Sequence, residues 1–117
     1  MSQQLSNYVN GQWSQSMAGD YADIINPATG VRLAEVPLGK GEDVTAAIEA
    51  AQAAFPEWRR TPPEERIQYL FKLKQLLEDH IEEIASLVTQ ENGKTLTEAR
   101  VEIRRGIENG CVAANAY

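Results

Sequence analysis

Two kinds of hydrophobic pattern divide the chain near residue 40. Before that point, short apolar runs are separated by turn residues, which is typical of strands. Beyond it, apolar residues recur every three or four positions, which is typical of amphipathic helices. We therefore predict an α+β fragment, with a β-hairpin and short strands in residues 1–40 followed by three to four helices in residues 41–117.

The predicted strands are bounded by turn residues. Asn10-Gly11 has aromatic and β-branched neighbours and predicts a hairpin with a type I′ turn, because both residues tolerate positive φ. Strands are predicted at Tyr21–Ile25 and Val31–Val36, on either side of a turn at Asn26–Gly30. Alternation in the second of these strands is imperfect, so the pattern leaves open which of its faces is buried.

The first predicted helix runs from about Glu42 to Phe55 or Trp58 and carries one apolar stripe. Its first turn is acidic, which complements the positive end of the helix dipole. Pro56 is expected to weaken the helix near its end.

Two further helices carry explicit start signals. A Thr-x-x-Glu capping box begins at Thr61, with proline at the first helical position, and a second box spans Thr95–Glu98. The helix after Thr61 is apolar over much of its circumference, and a break is expected near Asp79-His80 because acidic residues follow it. Gly93 is predicted to adopt the left-handed conformation that ends a helix.

Composition narrows the class of protein. The 117 residues suffice for one modest core, and the formal net charge of −6 argues against nucleic-acid or anionic-membrane partners. The single cysteine excludes an internal disulfide, so a cytoplasmic location is expected. No apolar run approaches the roughly 20 residues that span a bilayer. Because the helical pattern continues to the last residue, we expect this chain to be the front part of a longer one.

Several candidate sites are weak. The Gly39–Val44 segment resembles a dinucleotide loop, but the third glycine is missing and its two acidic residues would face a pyrophosphate. Gly93-Lys94-Thr95 resembles the end of a phosphate loop, yet the required first glycine is replaced by Val88. His80 has no second histidine with which to bind a metal, and Cys111 is expected to be a buried, inert thiol. Nothing distinguishes a catalytic carboxylate pair among the clustered glutamates: Glu64, Glu65, Glu82 and Glu83.

Arg104, Arg105 and Gly106 are the exception. A glycine inside a helix costs about 1 kcal/mol relative to alanine, which suggests that another group approaches the backbone there. An arginine beside such a gap is a candidate fork for a carboxylate or phosphate. The alternative is a surface arginine paired with a neighbouring glutamate: Glu98, Glu102 or Glu108.

Several motifs occur in a fixed order: Tyr8–Trp13, Asn26–Gly30, Glu42–Val44 with the alanine-rich helix after it, Ala54–Arg59 and Glu91–Thr95. Together, from about Asn7 to Asn109, they resemble the N-terminal segment of the aldehyde dehydrogenase superfamily. The run Arg105–Asn109 is most similar to the CoA-acylating methylmalonate-semialdehyde dehydrogenases.

The resemblance implies that residues 1–117 are the front part of an α/β cofactor-binding domain. It implies thiolate attack on an aldehyde, hydride transfer to NAD and acyl transfer to CoA, in a full-length homo-oligomer. In this chain it assigns the substrate carboxylate to Arg105 and no residue to catalysis, cofactor or metal binding. The partner is then the rest of the polypeptide, and the isolated chain is expected to be inactive. A non-catalytic helical interaction module is the alternative.

Overall fold

The computed structural model describes residues 3–115, which form parts of two compact units, Met1–Arg60 and Thr61–Tyr117. Strands precede helices along the chain, and the α+β prediction is confirmed. The strands are β1 (Gln3–Gln4), β2 (Asn7–Val9), β3 (Gln12–Ser14), β4 (Tyr21–Ile25) and β5 (Arg32–Pro37). The helices are α1 (Gly41–Arg60), α2 (Pro63–Asp79), α3 (Ile81–Asn92) and α4 (Leu96–Asn115).

The first unit contains a three-stranded sheet and a separate hairpin. In the sheet, β5 lies between β4, with which it is antiparallel, and β1, with which it is parallel. The hairpin joins β2 to β3 through Asn10 (φ 52°) and Gly11 (φ 75°), as the sequence predicts. The predicted strand β4 has the observed bounds, β5 is displaced by one residue, and β1 was not predicted.

Helix α1 is longer than predicted. It extends to Arg60 and contains Pro56, which lacks the amide hydrogen that would continue the helical ladder. The helix nevertheless continues to Arg60, so the proline does not end it.

The second unit is helical, and three of its four predicted helix boundaries are confirmed, including the start at the Thr95–Glu98 box. The helical run breaks at His80, between α2 and α3, and Gly93 ends α3 at φ 80° with its amide donating to the Thr89 carbonyl. The capping box at Thr61 is wrong, because the residue that caps α2 is Pro62, without a side-chain cap. Pro62 precedes another proline, and steric conflict with that ring keeps its backbone extended (ψ 147°).

Few large side chains are buried in the described part of the chain. In the second unit, Ala85 and Ala99 are fully buried and Ile107 nearly so, where α4 packs against α2 and α3. In the first unit, Ala18 is the buried apolar residue among those described. None of the helices in residues 3–115 is long and apolar enough to cross a membrane.

Candidate functional site

Helix α4 positions Arg105. A capping box fixes the start of this helix: the Glu98 amide donates to Thr95 Oγ1 (3.3 Å), and the Thr95 amide donates to Glu98 Oε2 (3.0 Å). Ala99, Ile103 and Ile107 follow at intervals of four, and they form the face that packs against the other helices. Arg105 lies two residues after Ile103, about 200° around the helix, so its side chain is exposed.

Arg105 borders a shallow surface concavity. The other five residues that line it are Lys94, Thr97, Glu98, Val101 and Glu102. Within residues 3–111, Arg105 makes no ion pair, so the alternative in which Glu98, Glu102 or Glu108 neutralises it is not observed. The guanidinium is therefore available to a ligand.

The two glutamates in the concavity are bound by other residues. Glu98 Oε2 accepts from both Thr95 Oγ1 (2.8 Å) and the Thr95 amide, and these bonds lower the pKa of Glu98. Glu102 Oε2 forms an ion pair with Lys94 Nζ. The Lys94–Glu102 pair was missed by sequence reasoning, because Lys94 precedes the helix and its direction is set only by the folded turn.

Other arginines on α4 differ from Arg105. Arg100 forms a two-pronged contact with Glu82 of α3, with Nε–Oε1 at 2.8 Å and Nη2–Oε2 at 2.7 Å. This contact lowers the pKa of Glu82. Arg104 lies in a separate concavity with Glu78 and Glu108. Within residues 3–111, Arg104 and Arg105 both make no ion pair, so both are open to a carboxylate, and the resemblance of the run Arg105–Asn109 is what favours Arg105.

The space that a side chain at position 106 would occupy is empty. A Cβ placed on Gly106 would meet no atom within 4 Å, so the expected close approach does not occur among the described residues. Gly106 and Gly110 instead line a small apolar cavity of about 80 Å³ beside Leu73 and Leu77 of α2. Cys111 lines the same cavity and is half-buried rather than buried, which corrects the expectation for its thiol.

The described residues do not form a dinucleotide cradle. In the Gly39–Val44 turn, the Lys40 amide, which would face a phosphate, donates to Asp43 Oδ2 (2.9 Å). The chain's own carboxylate therefore occupies the place of the anion. Gly93-Lys94-Thr95 is the junction between α3 and α4, and His80 Nδ1 lies 3.1 Å from Glu83 Oε2. No cluster able to hold a metal ion is found in the described part of the chain.

Comparison with solved structures extends these observations. An Oceanimonas doudoroffii methylmalonate-semialdehyde dehydrogenase superposes with a TM-score of 0.92 at 40% identity, covering 99% of this chain and 23% of that one. A Sinorhizobium meliloti 1021 protein, assigned as a methylmalonate-semialdehyde dehydrogenase and complexed with NAD, gives 0.93 at 35% identity. It covers 97% of this chain and 23% of that one.

Sequence comparison agrees. A malonate-semialdehyde dehydrogenase from Bacillus pumilus (strain SAFR-032) is 49% identical over 114 residues, which are 97% of this chain and 24% of that protein. This chain thus spans about a quarter of the length of such relatives. The model of the aldehyde dehydrogenase family matches residues 13–117. The chain belongs to the aldehyde dehydrogenase family.

Proposed function

We propose that this chain is the N-terminal part of an NAD-dependent dehydrogenase that oxidises a carboxylated semialdehyde of the malonate or methylmalonate type. The observation that carries the proposal is the exposed guanidinium of Arg105, unpaired among residues 3–111 while Arg100 is bound by Glu82. Names of the relatives support a substrate with a carboxylate, since they are malonate- and methylmalonate-semialdehyde dehydrogenases.

Arg105 would hold the carboxylate at the end of the substrate remote from the aldehyde. A guanidinium can donate two parallel hydrogen bonds to a carboxylate, which fixes both its position and its orientation. Orientation of the remote end places the aldehyde carbon relative to the reacting groups, and such positioning lowers the barrier.

The reacting groups belong to the rest of the protein. The described residues supply no activated nucleophile, and they do not fit NAD. NAD as hydride acceptor and CoA as acyl acceptor are therefore part of the proposal through the family resemblance. The isolated chain is expected to be inactive, with the remainder of the polypeptide as its partner and a homo-oligomer as the complete form.

The test substitutes Arg105 in a complete enzyme, referred to below as the test enzyme. This is the full-length protein that carries this segment or, equivalently, the Bacillus pumilus enzyme with its matching quarter replaced by this segment. Arg105→Met should lower kcat/KM for malonate semialdehyde by about 10- to 150-fold, because charge-assisted hydrogen bonds are lost. For propanal, which has no carboxylate, kcat/KM should stay within about twofold of the unsubstituted value.

Arg104→Met is the matched control, since Arg104 is the adjacent arginine and lies in a different concavity. It should leave the preference for malonate semialdehyde over propanal unchanged. Equal losses on both substrates in Arg105→Met would show that Arg105 is merely structural. A purified 117-residue chain that oxidised malonate semialdehyde with NAD would refute the expected inactivity.

A non-catalytic interaction module remains the alternative function, and exposed apolar residues on α2 favour it. Leu70, Phe71, Leu73 and Leu76 are each at least 39% exposed. The same exposure is expected if the rest of a dehydrogenase covers this helix. A test enzyme that is folded but inactive on every aldehyde would favour the module.

A further inference from the structure

We propose that Lys94 is a specificity-determining positioning residue: by binding Glu102, it keeps Arg105 free for the carboxylate of the substrate. This inference rests on the proposed function of Arg105. Lys94 does not need to contact the substrate, because it acts by binding the Glu102 carboxylate, which could otherwise pair with Arg105.

The helix geometry makes Glu102 the natural partner of Arg105. Residues three apart on a helix have Cβ atoms about 5–6 Å apart, and an acid and a base at this spacing attract each other. Glu102 and Arg105 have this spacing and line the same concavity. A pair between them would place a negative charge where the substrate carboxylate is expected to bind.

Lys94 prevents that pair from forming. Its ammonium approaches from the residue just before the Thr95 cap and contacts Glu102 Oε2. The Glu102 side chain is 57% exposed and so has room to turn, whereas Lys94 is 32% exposed and more restricted. In the structure, Glu102 is paired with Lys94, and it makes no ion pair with Arg105.

The other two carboxylates near Arg105 are either bound by another residue or outside its concavity. Glu98 is bound by Thr95 through two hydrogen bonds, and it lies two helical turns before Arg105. Glu108 lies in the separate concavity that contains Arg104. Release of Glu102 is thus the change that would neutralise Arg105.

Charge balance gives the direction of the effect. The four charged residues of the concavity, Lys94, Glu98, Glu102 and Arg105, carry no net charge together, and removal of the lysine makes the sum −1. An incoming carboxylate then loses part of its attraction and must also displace Glu102. A neutral aldehyde experiences neither penalty, so the effect should be selective for carboxylated substrates.

The experiment uses the test enzyme with malonate semialdehyde and propanal as substrates. Lys94→Met should raise KM for malonate semialdehyde about two- to fivefold, which is the range expected for one exposed ion pair. The kcat for malonate semialdehyde should not change, nor should kcat and KM for propanal. Lys94→Met/Glu102→Gln should restore KM, because no carboxylate remains to compete. Lys94→Arg, which can still bind Glu102, should resemble the unsubstituted enzyme.

The outcomes separate this inference from the function on which it rests. If Arg105→Met loses malonate semialdehyde selectively but Lys94→Met does not, the role of Arg105 stands and that of Lys94 is refuted. Failure of the double variant to restore KM would refute it as well. If Arg105→Met affects both substrates equally, the proposed function fails and the inference fails with it.

Discussion

Asp43 joins two distant parts of the first unit through a single carboxylate. Its Oδ1 accepts from the Met17 amide (2.9 Å), and its Oδ2 accepts from Ser16 Oγ (2.7 Å) and the Lys40 amide (2.9 Å). Ser16 Oγ in turn accepts from the amide of the buried Ala18. The bonds from Met17, Ser16 and Lys40, in that order of effect, lower the pKa of Asp43.

Asp43→Asn should destabilise the first unit and reduce its acid sensitivity. Because the folded-state pKa is lowered, the carboxylate contributes stability above its unfolded pKa of about 3.9, and this contribution is lost as pH falls through the folded value. The free energy of unfolding, measured by urea titration from neutral pH down to about pH 3, should depend less on pH in the variant.

Glu49→Gln is the control, because Glu49 is exposed on the same helix. An unchanged pH dependence in Asp43→Asn, or an equal change in Glu49→Gln, would contradict this account of Asp43.

At the residue scale, the sequence predicts interactions between neighbours along the chain but not those between distant residues. The sequence predicted that Asp43 complements the helix dipole, which depends only on neighbours along the chain. Its bonds to Ser16 and Met17 cross 27 and 26 residues, and only the folded loop brings them together. Gly106 directed attention to both Arg104 and Arg105, and the family resemblance selected Arg105 as the candidate. The Lys94–Glu102 pair required the turn between two helices.

At the scale of the element, local signals at the helix ends determine where the helices of the second unit begin and end. The box at Thr95 is formed as predicted, and the one at Thr61 is not, although both have the Thr-x-x-Glu pattern. The difference is the pair of prolines after Thr61, which move the cap to Pro62. A Thr-x-x-Glu pattern therefore predicts a helix start reliably only where the backbone between the threonine and the glutamate is free to turn.

Thr95→Ala should lower the free energy of unfolding by about 1 kcal/mol, the usual cost of losing an N-cap oxygen. It removes the acceptor of the Glu98 amide and also the hydroxyl that donates to Glu98. Urea unfolding followed by helical circular dichroism would measure the loss.

Thr95→Ser retains the oxygen and should lie close to the unsubstituted chain. Thr97→Ala, on the same helical turn, controls for a change in helix propensity. If Thr95→Ala and Thr95→Ser were equally destabilised, the hydroxyl would not be the cause.

At the scale of the whole molecule, the accessible surface exceeds what two compact units would expose. The accessible area is 9000 Å². Two separate compact units of half the mass each would expose about 7,600 Å² in total. Val44, Ile48 and Phe55 of α1 are each more than half exposed, although the sequence predicted them as one apolar stripe. The pattern identified an apolar stripe on α1, and the described residues leave it largely uncovered.

The isolated chain should therefore bind the dye ANS and self-associate, since exposed apolar surface of this extent promotes both. The test enzyme at the same concentration should do neither, because the rest of the polypeptide would cover these faces. Dye fluorescence and light scattering provide the measurements. Leu73→Glu/Leu76→Glu, which places charge on an exposed face of α2, should weaken both signals in the isolated chain. A chain without dye binding would refute this view of its surface.

Strand β1 has a consequence for synthesis on the ribosome. Gln3 and Gln4 pair with Ala34 and Glu35, about thirty residues later in the chain. At translation rates of about 5–20 residues per second, β1 waits roughly 2–6 seconds before its partner has been made. Strands β4 and β5 are close in sequence and can pair as soon as both emerge. Strand β1 is therefore the strand of this sheet that waits longest for its partner.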